Sequence, residues 1–208
     1  MGLASEERSG LCATLTEVGP DAPTLCEGWQ TKDLAAHLVA RDRRPDILPG
    51  MIVPAFAGHT QKVQDQYAAL PWDKLVDLVR TGPPRLSPMS IPQLNELANG
   101  AEYFVHHEDV RRAQPDWTPR PAQAQRDEAL WKVVRRMGRL VYRRSPVGVA
   151  LKRPDGETVV ANRGPRTVTL SGEPGDLLFF TFGRSAVRLD FDGEEDAVSA
   201  VQNLKRGM

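Results

Sequence analysis

Glu102 and His106 stand four residues apart in a stretch with helical periodicity, so a carboxylate and an imidazole lie one turn apart on the same face. Such a pair can reach one ion from one side. A third ligand has to come from elsewhere in the chain, and His37 is the best candidate, in the middle of a predicted helix on a side otherwise apolar. Two imidazoles and one carboxylate leave a coordination position open, as in catalytic rather than structural zinc. The same donors suit Fe(II) or Mn(II). The residues also have a plainer reading: Glu and His at this spacing form solvated pairs on many surface helices, and an isolated interior histidine is more often hydrogen-bonded than ligating. Spacing alone leaves these alternatives open.

The neighbours are read separately. His107 lies about 100° round the helix from His106 and is expected behind the ligands or at the surface. Asp109 is placed to orient a ligand, but an ion pair with Arg112 or Arg41 is the preferred expectation. His59 is expected to cap a helix or face solvent, Trp29 to anchor packing, and Arg111 and Arg112 to form a solvated face. Cys12 and Cys26 match no disulfide, zinc-finger or CxxC pattern and read as small buried hydrophobes.

The elements that carry these residues are mostly helical. A helix is expected over Leu3 to Val18, stopped by Gly19-Pro20. Thr31 is the expected N-cap of the next, with Asp33 in its first turn, and Leu34, His37, Leu38 and Arg41 share one face. Pro45, Pro49 and Pro54 make 46–58 a loop with at most one helical turn. A third helix is expected over 59–70 and a short one over 71–79. Pro92 suits the start of a long helix over 91–113, with Leu94, Leu97, Ala98, Ala101, Val105 and Val110 on its apolar side. Loops surround Gly82-Pro83-Pro84 and Pro88, and 114–122, with three prolines, is a linker. A further helix over 126–142 repeats apolar residues at i, i+3, i+4. Four main helices with irregular connections imply a bundle over 1–144.

After Ser145 the period changes. Short β-like runs at 147–151, 158–161 and 167–170 are separated by Gly and Pro turns, Asp155-Gly156 among them. The apolar run 175–184 suits either a buried strand or a buried helix, and a helix is preferred. A strand over 186–191 and a helix over 194–205 complete a small α+β domain, 145–208.

Trp29-x-Thr-Lys-Asp-Leu-x-x-His37-Leu, followed by Glu102-Tyr-Phe-Val-His106-His-Glu-Asp-Val-Arg-Arg, resembles the mycothiol-dependent maleylpyruvate isomerase family of DinB-like metal-binding bundles. It is most similar to an actinobacterial subgroup described only as metal-binding. The resemblance covers nearly the whole chain and implies an α+β protein: a DinB-like four-helix bundle followed by a small α/β domain. It implies Zn2+ held by His37, Glu102 and His106, with Arg184 of the C-terminal domain serving the site and Arg188 as the nearby alternative. It implies mycothiol as cosubstrate. The sulfur would add to a small electrophilic substrate, and rotation and elimination would complete an isomerisation; S-transfer would stop after addition. Because the chain is nearer the metal-binding subgroup, and because 46–58 would reshape the pocket, maleylpyruvate itself is not expected. Two other readings stand beside this one: a non-catalytic metal-binding stress-response protein, and a carrier whose C-terminal domain resembles sterol-carrier-like folds.

The totals fit these readings. Lys+Arg and Asp+Glu number 27 each, so the basic surplus of a nucleic-acid binder is missing. The first ten residues lack the charged start and apolar run of a signal peptide, and no apolar stretch approaches the roughly 20 residues of a membrane span. A cytoplasmic protein with no nucleic-acid or membrane partner is expected, with monomer and dimer both open.

Overall fold

The computed structural model describes residues 2–84, 87 and 90–206, with the backbone alone at 51, 52, 92, 94, 97 and 98. The side chains of Leu94, Leu97 and Ala98, and the loop residue Pro88, lie outside the described set. The chain divides into two compact units, Met1–Pro119 and Arg120–Met208.

The first unit is helical. α1 (Leu3–Val18) ends at Gly19, whose φ of +82° turns the chain out of the helix, and Pro20 has no N–H with which to continue it. The cap of α2 (Thr31–Arg43) lies one residue earlier than expected. The Asp33 carboxylate accepts the backbone N–H of Gln30 at 2.9 Å, so Gln30 holds the cap position. Thr31 is buried, and its hydroxyl donates to the carbonyl of Gly19.

The segment 46–58 is not the expected loop. A 3-10 turn at 45–47, α3 (Leu48–Ile52) and a second 3-10 turn at 54–56 run into α4 (Ala57–Ala68). Pro45, Pro49 and Pro54 each sit in a first turn, where no backbone donor is required. They break the helix into pieces without abolishing it. α5 (Trp72–Thr81) ends at Gly82, φ +64°, and α6 (Pro92–Arg111) is the longest helix of the unit.

The core joins Leu11 and Leu15 of α1, Leu34 and Leu38 of α2, Leu75, Val76 and Val79 of α5, and Tyr103 and Val110 of α6. These four helices form the bundle. α4 lies against α2 around Ala40, Ile47 and Val63. The helix expected to complete the bundle from 126–142 instead packs inside the second unit, and α5 takes its place. α1 and α6 approach closely at Gly10, where a Cβ would stand 2.8 Å from Cε1 of His107.

In the second unit α7 (Ala124–Val141) buries Leu130, Trp131 and Val134. β1 (Val149–Lys152) pairs antiparallel with β2 (Thr158–Asn162) and parallel with β3 (Val168–Ser171). The β1–β2 turn uses Gly156 at φ +92°. α8 (Pro174–Thr181) is the preferred helix of the apolar run; Pro174 opens it and Gly183, φ +91°, follows its end. The strand expected over 186–191 shrinks to β4 (Asp190–Asp192). Ser171, the last residue of β3, pairs with Asp190, so 186–189 have no strand to join. α9 (Glu195–Gln202) closes the unit, and the sheet order is β2-β1-β3-β4. The fold is α+β. Among the described residues no helix is long and apolar enough to cross a membrane.

Bundle membership of α5 has a direct test. Leu75 is fully buried and Leu140 is 45% exposed. Leu75→Ala is expected to cost about 3 kcal/mol, and Leu140→Ala less than about 0.5 kcal/mol, in denaturant unfolding followed by tryptophan fluorescence.

Candidate metal centre

Helical spacing places Leu34 and Leu38 of α2 in the bundle core, while His37 points toward α6, less than a tenth exposed. On α6, Glu102 and His106 share a face. Nε2 of His37 is 3.5 Å and Nε2 of His106 is 3.3 Å from the same Glu102 oxygen, Oε1. The donor atoms of all three residues lie within 4.8 Å of one another, and the two imidazoles meet edge to face at 5.4 Å between centroids. The structure thus brings together the three residues that the sequence pointed to.

The outer nitrogen of each ring also has a partner. Nδ1 of His106 lies 3.0 Å from Oδ2 of Asp109, a wholly buried carboxylate. The carboxylate accepts Nδ1–H, which keeps that proton in place and leaves Nε2, facing Glu102, as the nitrogen that gives up its proton to a cation. Nδ1 of His37 lies 3.0 Å from the Gln64 amide nitrogen. Amide N and O are interchangeable by a half-turn. With Oε1 in that place, the amide accepts Nδ1–H and frees Nε2 of His37 in the same way.

Electrostatics separate the two histidines. Burial pushes His37 below the ordinary imidazole value; Glu102 opposes this, while His106 and Arg41 add to it. Burial also works against the charged form of His106, but hydrogen bonds to Asp109, Cys26 and Glu102 hold it well above. Burial opposes ionisation of Glu102 too; contacts with both imidazoles and the charge of Arg41 outweigh it and hold the carboxyl well below its usual range. Arg41 Nε is 3.5 Å from Oε1, and its Nη1 donates to Asn99. Two neutralisable imidazoles, each held at Nδ1 by a partner, and an ionised carboxylate fit a divalent cation.

Several flanking residues differ from expectation. Asp109 orients His106 through Nδ1, the alternative to its expected ion pair with Arg112 or Arg41. Arg112 is buried, bonded to Glu108 at 2.6 Å and stacked over Trp117 at 5.0 Å, so the solvated face expected of it does not form. His107 is neither behind the ligands nor at the surface. It ties α6 to α1, with Nδ1 3.0 Å from Glu7 and Nε2 3.0 Å from Thr14. His59 is exposed and binds Asp46 at 2.7 Å. Trp29 packs on the core, its ring 5.1 Å from that of His37. Cys12 is the buried hydrophobe expected, its thiol pushed up to about 11 by burial.

Cys26 is the main omission. Its Sγ lies 3.2 Å from Oδ2 of Asp109 and 3.9 Å from Nδ1 of His106. Leu25 N–H donates to the Asp109 carbonyl at 3.0 Å and pins this turn to α6. Cys26, His106 and Asp109 form a second donor set within 4.8 Å, sharing His106 through its other nitrogen. Nothing in the 25–30 spacing marks that proximity. Arg184 belongs to the second unit, half-buried, its Nη1 donating to the Phe182 carbonyl at 2.8 Å; Arg188 is exposed.

The chain matches no family model, and no curated protein matches it. Its fold is that of mycothiol-dependent maleylpyruvate isomerase. A crystal structure of a histidine-to-alanine mutant of that enzyme has a TM-score of 0.57 at 14% identity, and one described simply as the enzyme has 0.53 at 15%. Each likeness covers 91% of this chain and 90% of the other.

Two outcomes follow from the geometry. Asp109→Asn is expected to weaken zinc binding by about 10- to 100-fold in competition with a chromogenic chelator. Above pH 6.5, the ordinary imidazole value, His37 is already neutral and Glu102 already ionised, while His106 still holds its proton. Binding displaces that one proton, so affinity rises about tenfold per pH unit from 6.5 until the raised His106 value is passed. Calorimetry in two buffers of different ionisation enthalpy counts the proton, and a count of zero would contradict the assignment.

Proposed function

We propose that this chain is a divalent-metal-dependent enzyme that uses a low-molecular-weight thiol to isomerise, or to transfer sulfur to, a small electrophilic substrate. The convergence of His37, Glu102 and His106 carries the reading, and the fold shared with a mycothiol-dependent isomerase supports it. Zinc is the proposed metal, mycothiol the proposed thiol and the cytoplasm the proposed compartment.

A divalent cation held by these residues supplies a Lewis acid that favours the deprotonated form of a thiol at its open position. The protein's own groups do the remaining work. Asp109 keeps the proton of His106 on Nδ1. Arg41 and the imidazoles keep Glu102 anionic, and the Trp29 ring covers one side of His37. Arg184 is proposed to take a substrate carboxylate in a two-pronged contact. Thiolate addition forms a C–S bond and turns the substrate double bond into a single bond. Rotation about that bond and elimination then return the thiol and the isomerised alkene. Transfer ends at addition, with a proton taken up at carbon.

A second reading has one observation in its favour. His37 and His106 are each less than a tenth exposed and join α2 to α6, as in a site that only stabilises the bundle. The readings separate in the cobalt-substituted protein. The enzyme reading expects the visible spectrum to change on addition of mycothiol, and silence toward every small thiol would sink it. The stabilising reading expects His37→Ala to lower the Tm sharply, and metal loss at unchanged Tm would count against it.

A further inference from the structure

The second unit carries an arginine-lined groove that the proposed chemistry does not use. Arg135 and Arg139 stand four residues apart on α7, and Arg143 follows after four more in the 3-10 turn Tyr142–Arg144 that continues it. Opposite them runs β2, with residues 157–163 forming the other wall of a groove of about 640 Å³. β2 is an edge strand: β1 pairs with one side of it, and among the described residues no strand pairs with the other. Alternate backbone N–H and C=O groups of such a strand point outward, ready for another extended chain.

The charges are placed along this edge. Arg135 stands near the start of β2, 3.6 Å from Glu157. Asn162, at the end of β2, donates to the carbonyls of Ser145 and Val147 just beyond α7. Helix and strand therefore run in the same sense, with the arginines in a row beside the edge. Arg139, Arg143 and Arg163 are exposed, and among the described residues none of them meets a carboxylate. Four helical residues rise about 6.0 Å, and every second residue of an extended strand advances about 6.7 Å. Acidic side chains at alternate positions of an added strand thus keep approximate step with the arginines. Val160, 50% exposed on the open face of the sheet, offers apolar contact on the other side.

We propose that β2 and the Arg135–Arg139–Arg143 row form a docking site for an extended acidic peptide of a partner protein, which adds as a strand to the β2 edge with carboxylates at alternate positions on the guanidinium groups. This is β-strand addition with an electrostatic register. The acidic residues lie toward Arg139, Arg143 and Arg163, because Glu157 already occupies Arg135 and repels acid at that end. A nucleic-acid backbone is the weaker fit. The groove walls hold no aromatic side chain on which a base can stack, and a phosphate chain makes no use of the strand's amides.

The test uses the full chain and a fluorescein-labelled decapeptide of alternating glutamate and valine, read by anisotropy. Saturable binding is expected, weakened at least tenfold by R139E/R143E and changed less than twofold by R136E, an exposed α7 arginine outside the groove. Two further peptides carry N-methyl groups on odd or on even amides. One set faces β2, so one peptide is expected to lose at least tenfold in affinity while the other keeps it. Equal behaviour of the two would overturn the proposal, as would absence of saturable binding. Tighter binding of a ten-residue oligothymidylate than of the peptide would also overturn it, in favour of a phosphate-backbone site.

Discussion

Four consecutive polar residues of α6, His106 to Asp109, are all buried, at 8%, 5%, 1% and 0% exposure. Successive helical residues point about 100° apart, so each must find its partner in a different direction. Buried charges left unpaired are too costly to survive. His106 meets Glu102 and Asp109. His107 meets Glu7 and Thr14 of α1. Glu108 holds Arg111 and Arg112, and Asp109 holds His106 and Cys26. Satisfying all four fixes the rotation of α6 about its axis. That rotation brings Glu102, one turn earlier, under both imidazoles.

The same constraint explains why two chemically identical side chains differ. His37 has only an amide behind it, and burial dominates its proton affinity. His106 has a buried carboxylate behind it and another in front. The site therefore contains one imidazole that is neutral without help and one that surrenders a proton when a cation arrives. Glu102 stays ionised because Arg41 and the imidazoles surround it, and Asn99 holds Arg41 in place and also contacts the buried Asp42–Tyr103 pair. The ligand set is continuous with the polar interior of the bundle.

Much of this was legible in the sequence where local chemistry decides. Gly19-Pro20 and Gly82-Pro83 end their helices whatever surrounds them. The i, i+4 relation of Glu102 and His106 holds for any α-helix. The apolar run at 174–181 resolved as a helix because Pro174 and Gly183 bound it. What escaped depends on contacts between distant segments. Spacing made Asp109 and Arg112 natural partners, but it did not reveal that Glu108 bonds Arg112 or that Asp109 meets the His106 ring. The proximity of Cys26 to the site rests on a backbone bond between Leu25 and Asp109. The place of α7 follows from its packing on α8 and β2, which its own amphipathic pattern cannot name. The prolines of 45–54 signal breaks correctly but do not say that helical turns resume between them.

Gly10 acts as a spacer between α1 and α6. With no side chain on α1 at that level, the His107 ring lies against the α1 backbone, and the distance between the two helix axes is set by an imidazole rather than by an aliphatic pair. His107 adjoins His106 in sequence, so the thickness of that contact is carried through one peptide unit to a metal-ligating atom. Metal sites tolerate errors of only about 0.2 Å in ligand distance. The tolerance of the centre is thus machined partly on its far side, at a helix–helix seam with no ligand of its own. Methyl-sized changes in that seam, invisible to any search for ligands, belong among the variables that tune the site.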